Sequence, residues 1–324
     1  MRIIGITAAG LAWAAASGWA AWVYEGQWGD YGRGPGGFDW PTGLTVAANG
    51  NVYVADTLNY RVQYFNRDGR YLGQWGRRGS GDGEFNVPRG VAIAPGSGNV
   101  YVVDDINARV QYFTATGSFL GKWGQLGTGD GEFNWPEGVA VAGSTGDVYV
   151  ADFRNDRVQY FTAAGSFKGK WGRSGGGNGE FSSPTGIVVT PNGRVYVSDK
   201  SNHRVQYFTA AGSFLGKWGS KGTGDGQFRA PLGVAIRPGG NDVYVVDIFN
   251  CRLQYFTVTG SFLGKIGSYG WGNGEFVEPS YCAFSPDGRR LYVTDTSNYR
   301  VQSFRWSDPV VSPTSLGKVK ALFR

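Results

Sequence analysis

Histidine is almost missing: His203 stands alone in 324 residues, beside two cysteines and one methionine. One histidine excludes a zinc site built from several imidazoles of this chain. Cys251 and Cys282 stand in different segments and form no cysteine–histidine metal spacing, so no metal ligand set and no cofactor is expected. Helical periodicity over ten or more residues is absent from the body of the chain, which points to an all-β fold. The glycine-rich segments Gly79 to Glu84 and Gly127 to Glu132 lack both the ligand spacing of a calcium loop and the Gly-Lys-Ser/Thr of a phosphate loop. Gly172-Arg173-Ser174-Gly175-Gly176 has the spacing of a nucleophile elbow, but no strand–helix junction surrounds it. No catalytic residue is assigned.

What is abundant is repetition. Phe-x-x-Pro begins at Phe38, Phe85, Phe133, Phe181, Phe228 and Phe276, at intervals of 47, 48, 48, 47 and 48 residues. Each copy continues into Asp-x-x-Asn-x-Arg: Asp56, Asn59 and Arg61; Asp104, Asn107 and Arg109; Asp152, Asn155 and Arg157; Asp199, Asn202 and Arg204; Asp247, Asn250 and Arg252; Asp295, Asn298 and Arg300. A period of this length marks an array of units that cannot bury their apolar faces alone. In the second copy, Val91–Ala94, Val100–Val103, Val110–Phe113 and Phe119–Trp123 are short β-branched and aromatic runs separated by turn residues. Four meandering strands per copy describe a propeller blade, and six copies a six-bladed β-propeller of four-stranded antiparallel blades.

The sixth copy lacks its last strand, and the equivalent Tyr24-Glu25-Gly26-Gln27-Trp28-Gly29 stands at the other end of the chain. The N-terminal strand is therefore expected to complete the last blade and close the ring. The pattern in Pro184-x-Gly186-Ile187-Val188-Val189, Gly193-x-Val195-Tyr196-Val197-x-Asp199 and Asn202-His203-Arg204-Val205-Gln206 resembles the NHL repeat. The resemblance covers nearly all of the chain after its leader and implies the same six-bladed propeller. Activity stays open, because NHL propellers serve as protein-binding, RNA-binding, sensor and enzyme domains. The peptide-amidating lyases among similar propellers hold zinc through several histidines, which this chain does not have.

Three segments are expected. Residues 1–21 read as a signal peptide or membrane leader, with no charge from Ile3 to Val23. Residues 22–306 form the propeller, and 307–324 a Pro-containing linker with a short basic amphipathic tail. The leader places the protein as secreted, periplasmic or cell-surface, with membrane contact only if the leader stays uncleaved. The net charge of +6 arises partly from Lys122, Lys170, Lys217 and Lys265, which recur on the outermost strand. Lysine there protects an edge, so specific nucleic-acid binding is not expected.

Residues repeated six times serve the blade rather than a reaction. Asp-x-x-Asn-x-Arg reads as a polar clasp, and Trp28, Trp75, Trp123, Trp171 and Trp218 as packing between blades. The innermost strands carry no ionisable group apart from Cys282, with Thr42, Arg89, Glu137, Thr185, Leu232 and Ser280 varying at the channel mouth. A binding site is sought where copies differ on one loop face: Trp40, Arg89, Trp135, Glu137, Phe153, Arg154, His203, Ile248 and Phe249. The sequence is thus read as an exported, non-enzymatic, monomeric binding or scaffold module for a protein, peptide or surface glycan. A metal-dependent lyase or lactonase at the channel mouth and an RNA-binding NHL domain are the alternatives.

Overall fold

The second run of each repeat is apolar throughout, and a strand of that kind needs cover on both faces. In the computed structural model, which describes residues 21–240 and 242–307, each such strand receives it from the neighbouring blades. Twenty-four strands form six four-stranded antiparallel sheets. In the first blade, Pro41–Val46, Val52–Asp56, Arg61–Phe65 and Tyr71–Trp75 follow one another from axis to rim. Val52–Asp56 is buried along its whole length, whereas Tyr71–Trp75 alternates between half-buried and exposed residues. The innermost strands of neighbouring blades touch, including those of the first and last, so the ring is closed. The proposed leader up to Ala20 and the tail from Asp308 lie outside the described residues.

The sixth blade takes Pro279–Phe284, Arg290–Asp295 and Arg300–Ser307 from one end of the chain and Ala21–Trp28 from the other. The closing strand pairs from Ala21 opposite Ser307 to Trp28 opposite Val301. Arg290 reaches Glu25 at 2.6 Å, and Arg300 donates to Gln27 at 2.7 Å.

Aromatic side chains join the blades. Tyr53, Tyr101, Tyr149, Tyr196, Tyr244 and Tyr292 are the largest wholly buried side chains. Five of them donate a phenolic hydrogen to a turn carbonyl of the next blade, as Tyr53 does to Ala115 at 2.9 Å and Tyr292 to Arg67 at 2.9 Å. Tyr244 faces the blade that contains the chain ends, and its hydroxyl accepts the indole N–H of Trp22 at 2.9 Å instead. Trp28 packs on Phe65 of the first blade and Tyr292 of its own, with ring centroids 5.8 Å apart in both pairs.

Candidate functional site

The loop between the second and third strands carries the repeated aspartate. Asp104 is wholly buried. It accepts the amide of Asn86 at 2.7 Å, Asn107 Nδ2 at 2.8 Å and Arg109 Nε at 2.8 Å. The other guanidinium hydrogens go to the Ser80, Gly81 and Glu84 carbonyls of the preceding glycine-rich loop. Burial pushes the Asp104 carboxyl up, against the pull of Asn107 and Arg109. Equivalent bonds recur in all six blades. The glycine-rich loops thus spend their carbonyls on arginine. Gln111 completes the group: its Nε2 donates to the Glu84 carbonyl at 2.7 Å and its Oε1 accepts the Gly83 amide at 3.0 Å. This glutamine was legible as a sixfold repeat, from Gln63 to Gln302, and was overlooked.

The clasps and blade-to-blade loops share one face with the axial mouth. There a cavity of about 180 Å³ is lined by Trp40, Arg89, Glu137, Lys200, Ile248 and Tyr281, among others. Four sequence-selected residues therefore converge. Arg89 bonds Asp105 Oδ2 through Nε at 2.6 Å and stands 3.6 Å from Glu137. Burial pushes the Asp105 carboxyl up while Arg89 opposes that shift.

Tyr281 was missed, and its signal was a single broken glycine. Five blades have Gly two residues after the mouth-forming Pro; the sixth has Tyr281. A Cβ on Gly43 would lie on the Arg89 carbonyl, and one on Gly138 on that of Thr185. Between the sixth and first blades, Thr294 Oγ1 fills the junction, accepting the Tyr281 amide at 2.9 Å and donating to the Thr42 carbonyl at 2.7 Å. The tyrosine ring lines the cavity. Its hydroxyl is buried without a partner, and burial beside Glu137 pushes the phenol far up, so it remains an O–H.

Outside the mouth, the Arg154 guanidinium lies 3.4 Å from the ring centre of Trp135, and Lys200 at the cavity stands 5.5 Å from the ring centre of Phe153. Phe249 is half exposed, while His203 Nδ1 accepts the Ala230 amide at 3.0 Å. Asp156 in the preceding blade accepts the Ser183 amide in the same way at 2.7 Å, which gives His203 a contact between blades. Lys122, Lys170 and Lys265 reach Asp82, Asp130 and Asp225 at 2.6, 2.6 and 2.8 Å. Both cysteines are free and buried, and among the described residues no three His, Cys, Asp or Glu side chains are grouped to hold a metal.

The NHL repeat family model matches residues 133–161 and 181–208, and a model described as a 6-bladed beta-propeller matches 43–124. The chain is a six-bladed propeller that contains NHL repeats. Over 49 residues this NHL propeller is 39% identical both to the B-box type zinc finger protein ncl-1 of Caenorhabditis elegans and to the Protein brain tumor of Drosophila melanogaster. Those matches cover 15% of this chain but only 6% and 5% of those proteins. Among solved structures, a Bacteroides thetaiotaomicron protein of unknown function has a TM-score of 0.67 at 16% identity, covering 89% of this chain and 76% of that one. A gluconolactonase from Xanthomonas campestris gives 0.62 at 15%, covering 83% and 87%. A virginiamycin B lyase from Staphylococcus aureus gives 0.58 at 14%, covering 85% and 82%. Likeness at these identities shows the shared fold.

Proposed function

We propose that this NHL propeller is an exported binding module whose loop face docks a protein, peptide or surface glycan. The observation that carries the reading is convergence: four of the loop-face residues that depart from the repeat line one cavity. Trp40, Arg89, Glu137 and Ile248 frame the mouth, and the Trp135–Arg154 stack and Phe153 stand on the same loops. Tryptophan and arginine are the residue types that most often anchor interfaces. The uncharged stretch from Ile3 to Val23 supports a location outside the cytoplasm, and N-terminal sequencing of the native protein tests it.

Replacing Phe153, Arg154, Ile248 and Phe249 together by Ser tests the surface. None of the four belongs to the buried core, so the melting temperature should stay nearly unchanged. A partner recovered by the natural chain should be lost, at an affinity cost of about 2 kcal/mol or more. Lys122, Lys170 and Lys217 changed to Gln serve as the control on the outermost strands. Full recovery by the loop variant, with loss by the lysine variant, would place the surface elsewhere.

A further inference from the structure

The side of the ring opposite the mouth carries a groove of its own. The turn around Gly96 joins the first two strands of the second blade, and between it and the third blade lies a groove of about 400 Å³. Ala94, Val141, Ala142 and Ala163 line it with small side chains, together with Tyr101 and Tyr112, and no charged side chain takes part. The junction between the fifth and sixth blades shows the same place filled. There Arg237 stands where Ala94 does, Phe284 where Val141 does and Tyr244 where Tyr101 does. Trp22 of the closing strand packs on Tyr244 and Phe284, with ring centroids 6.1 and 5.8 Å away, and its indole N–H donates to the Tyr244 hydroxyl at 2.9 Å. Arg237 lies 3.9 Å from the ring centre of Trp306 beside it. One junction thus buries an aromatic side chain that comes from a chain end. The other keeps the tyrosine pair and has small residues where the first has large ones.

We propose that this groove receives the C-terminal tail of the same chain, with Phe323 in the place that Trp22 holds at the other junction. The last described strand starts at the clasp residue Arg300 and ends at Ser307, so the chain leaves the propeller on the side that carries the groove. From Ser307 to Phe323 the chain can span at most roughly 50 Å. A compact chain of the described length has a radius of gyration of about 19 Å, so the tail is long enough to cross that side. Leu316, Val319 and Phe323 recur at three- and four-residue spacing, interleaved with Lys318, Lys320 and Arg324. An uncharged groove suits the apolar members and leaves the charged ones in water. Tethering raises the local concentration of the tail to about the millimolar range, so one aromatic anchor can hold it where a free peptide would escape. The groove lies opposite the loop face, and the proposal is independent of the function argued for that face.

Hydrogen exchange and limited trypsin digestion of the full chain test this. Phe323→Ser should quicken exchange in the turns around Gly96, Gly143 and Ala164, and leave the corresponding first-blade turns around Asn49 and Asp68 unchanged. It should also speed cutting after Lys318 and Lys320 about tenfold, because cleavage follows the population of the released tail. Ala94→Arg combined with Val141→Phe copies the walls of the filled junction and should speed the same two cuts. Phe323 lies outside the described propeller, so Phe323→Ser decides the matter if the double variant fails to fold. Unchanged exchange in the three groove turns, unchanged cutting of the tail, or a response centred on another surface would overturn the proposal. Protection that grows with protein concentration would also overturn it, by assigning the groove to the tail of a second copy.

Discussion

Among the described residues, twelve other than glycine adopt positive φ, and they fall at two places in every blade. One is the residue before the mouth-forming Pro: Trp40, Val87, Trp135, Ser183, Ala230 and Glu278. The other precedes the clasp arginine: Tyr60, Ala108, Asp156, His203, Cys251 and Tyr299. The left-handed region disfavours side chains with a Cβ, and β-branched ones most. Val87 at φ 68° is therefore the worst placed, and asparagine tolerates this conformation best after glycine. Val87→Asn should stabilise the fold by about 1 kcal/mol, read as a raised thermal midpoint. A lowered midpoint would mean that Val87 packing outweighs its backbone strain. The clasp makes the opposite prediction. Asp152 is wholly buried and pairs with Arg157 at 2.8 Å. Asp152→Asn leaves that arginine buried without its counter-charge and should lose about 3–5 kcal/mol in denaturant unfolding. A loss below about 1 kcal/mol would show that the loop carbonyls alone hold the guanidinium.

Elements were legible where the repeat spoke and obscure where contacts cross it. Val52-Tyr53-Val54 and its counterparts read directly as strands, and the missing sixth-copy strand pointed to Tyr24–Trp28 as its replacement. Asp104 and Arg109 could be read as partners because sixfold repetition argues for structure over chemistry. Repetition also hid things. Gln111 was repeated as faithfully and passed unnoticed, and no pattern reveals that Tyr53 reaches Ala115 some sixty residues away. The cavity depended on Tyr281, visible only when the six copies are aligned at the glycine and its closeness to the next blade is known. His203 illustrates the contact between blades at the level of one loop. Its Nδ1 accepts the Ala230 amide, and burial lowers the imidazole pKa below its ordinary 6.5. The unfolded chain thus takes up the proton at higher pH than the folded one. Stability should fall as pH falls from 6.5 through the lowered folded value, and recover above that window. His203→Asn, which keeps an acceptor and has no titrating ring, should flatten this part of the midpoint–pH curve. An unchanged slope would show that His203 does not carry this dependence.

For the molecule as a whole, the sixth blade is where the ring can fail. The first five blades take their fourth strand from the adjoining sequence, whereas the sixth takes it from the far end of the chain. That strand does more than complete hydrogen bonding. Trp22 satisfies Tyr244, Glu25 meets Arg290, Gln27 meets Arg300, and Trp28 fills the junction with the first blade. A chain beginning at Asp30 would lose all of these and leave Arg300–Ser307 as an open edge, ready to pair with another molecule. Burial of Trp22, Tyr24 and Trp28 contributes on the order of 5 kcal/mol, comparable to the whole stability of an ordinary domain. The truncated chain should therefore melt far lower or associate through that edge, by calorimetry and light scattering. Adding a synthetic peptide of residues 21–30 should raise the midpoint and restore the association state of the full chain, because the open edge is the one that strand pairs with. Replacing its Trp22 and Trp28 by Ala should abolish the rescue while leaving backbone pairing available. A truncated chain that keeps the association state and the midpoint of the full chain would show that the five continuous blades and the three-stranded sixth hold the ring closed alone.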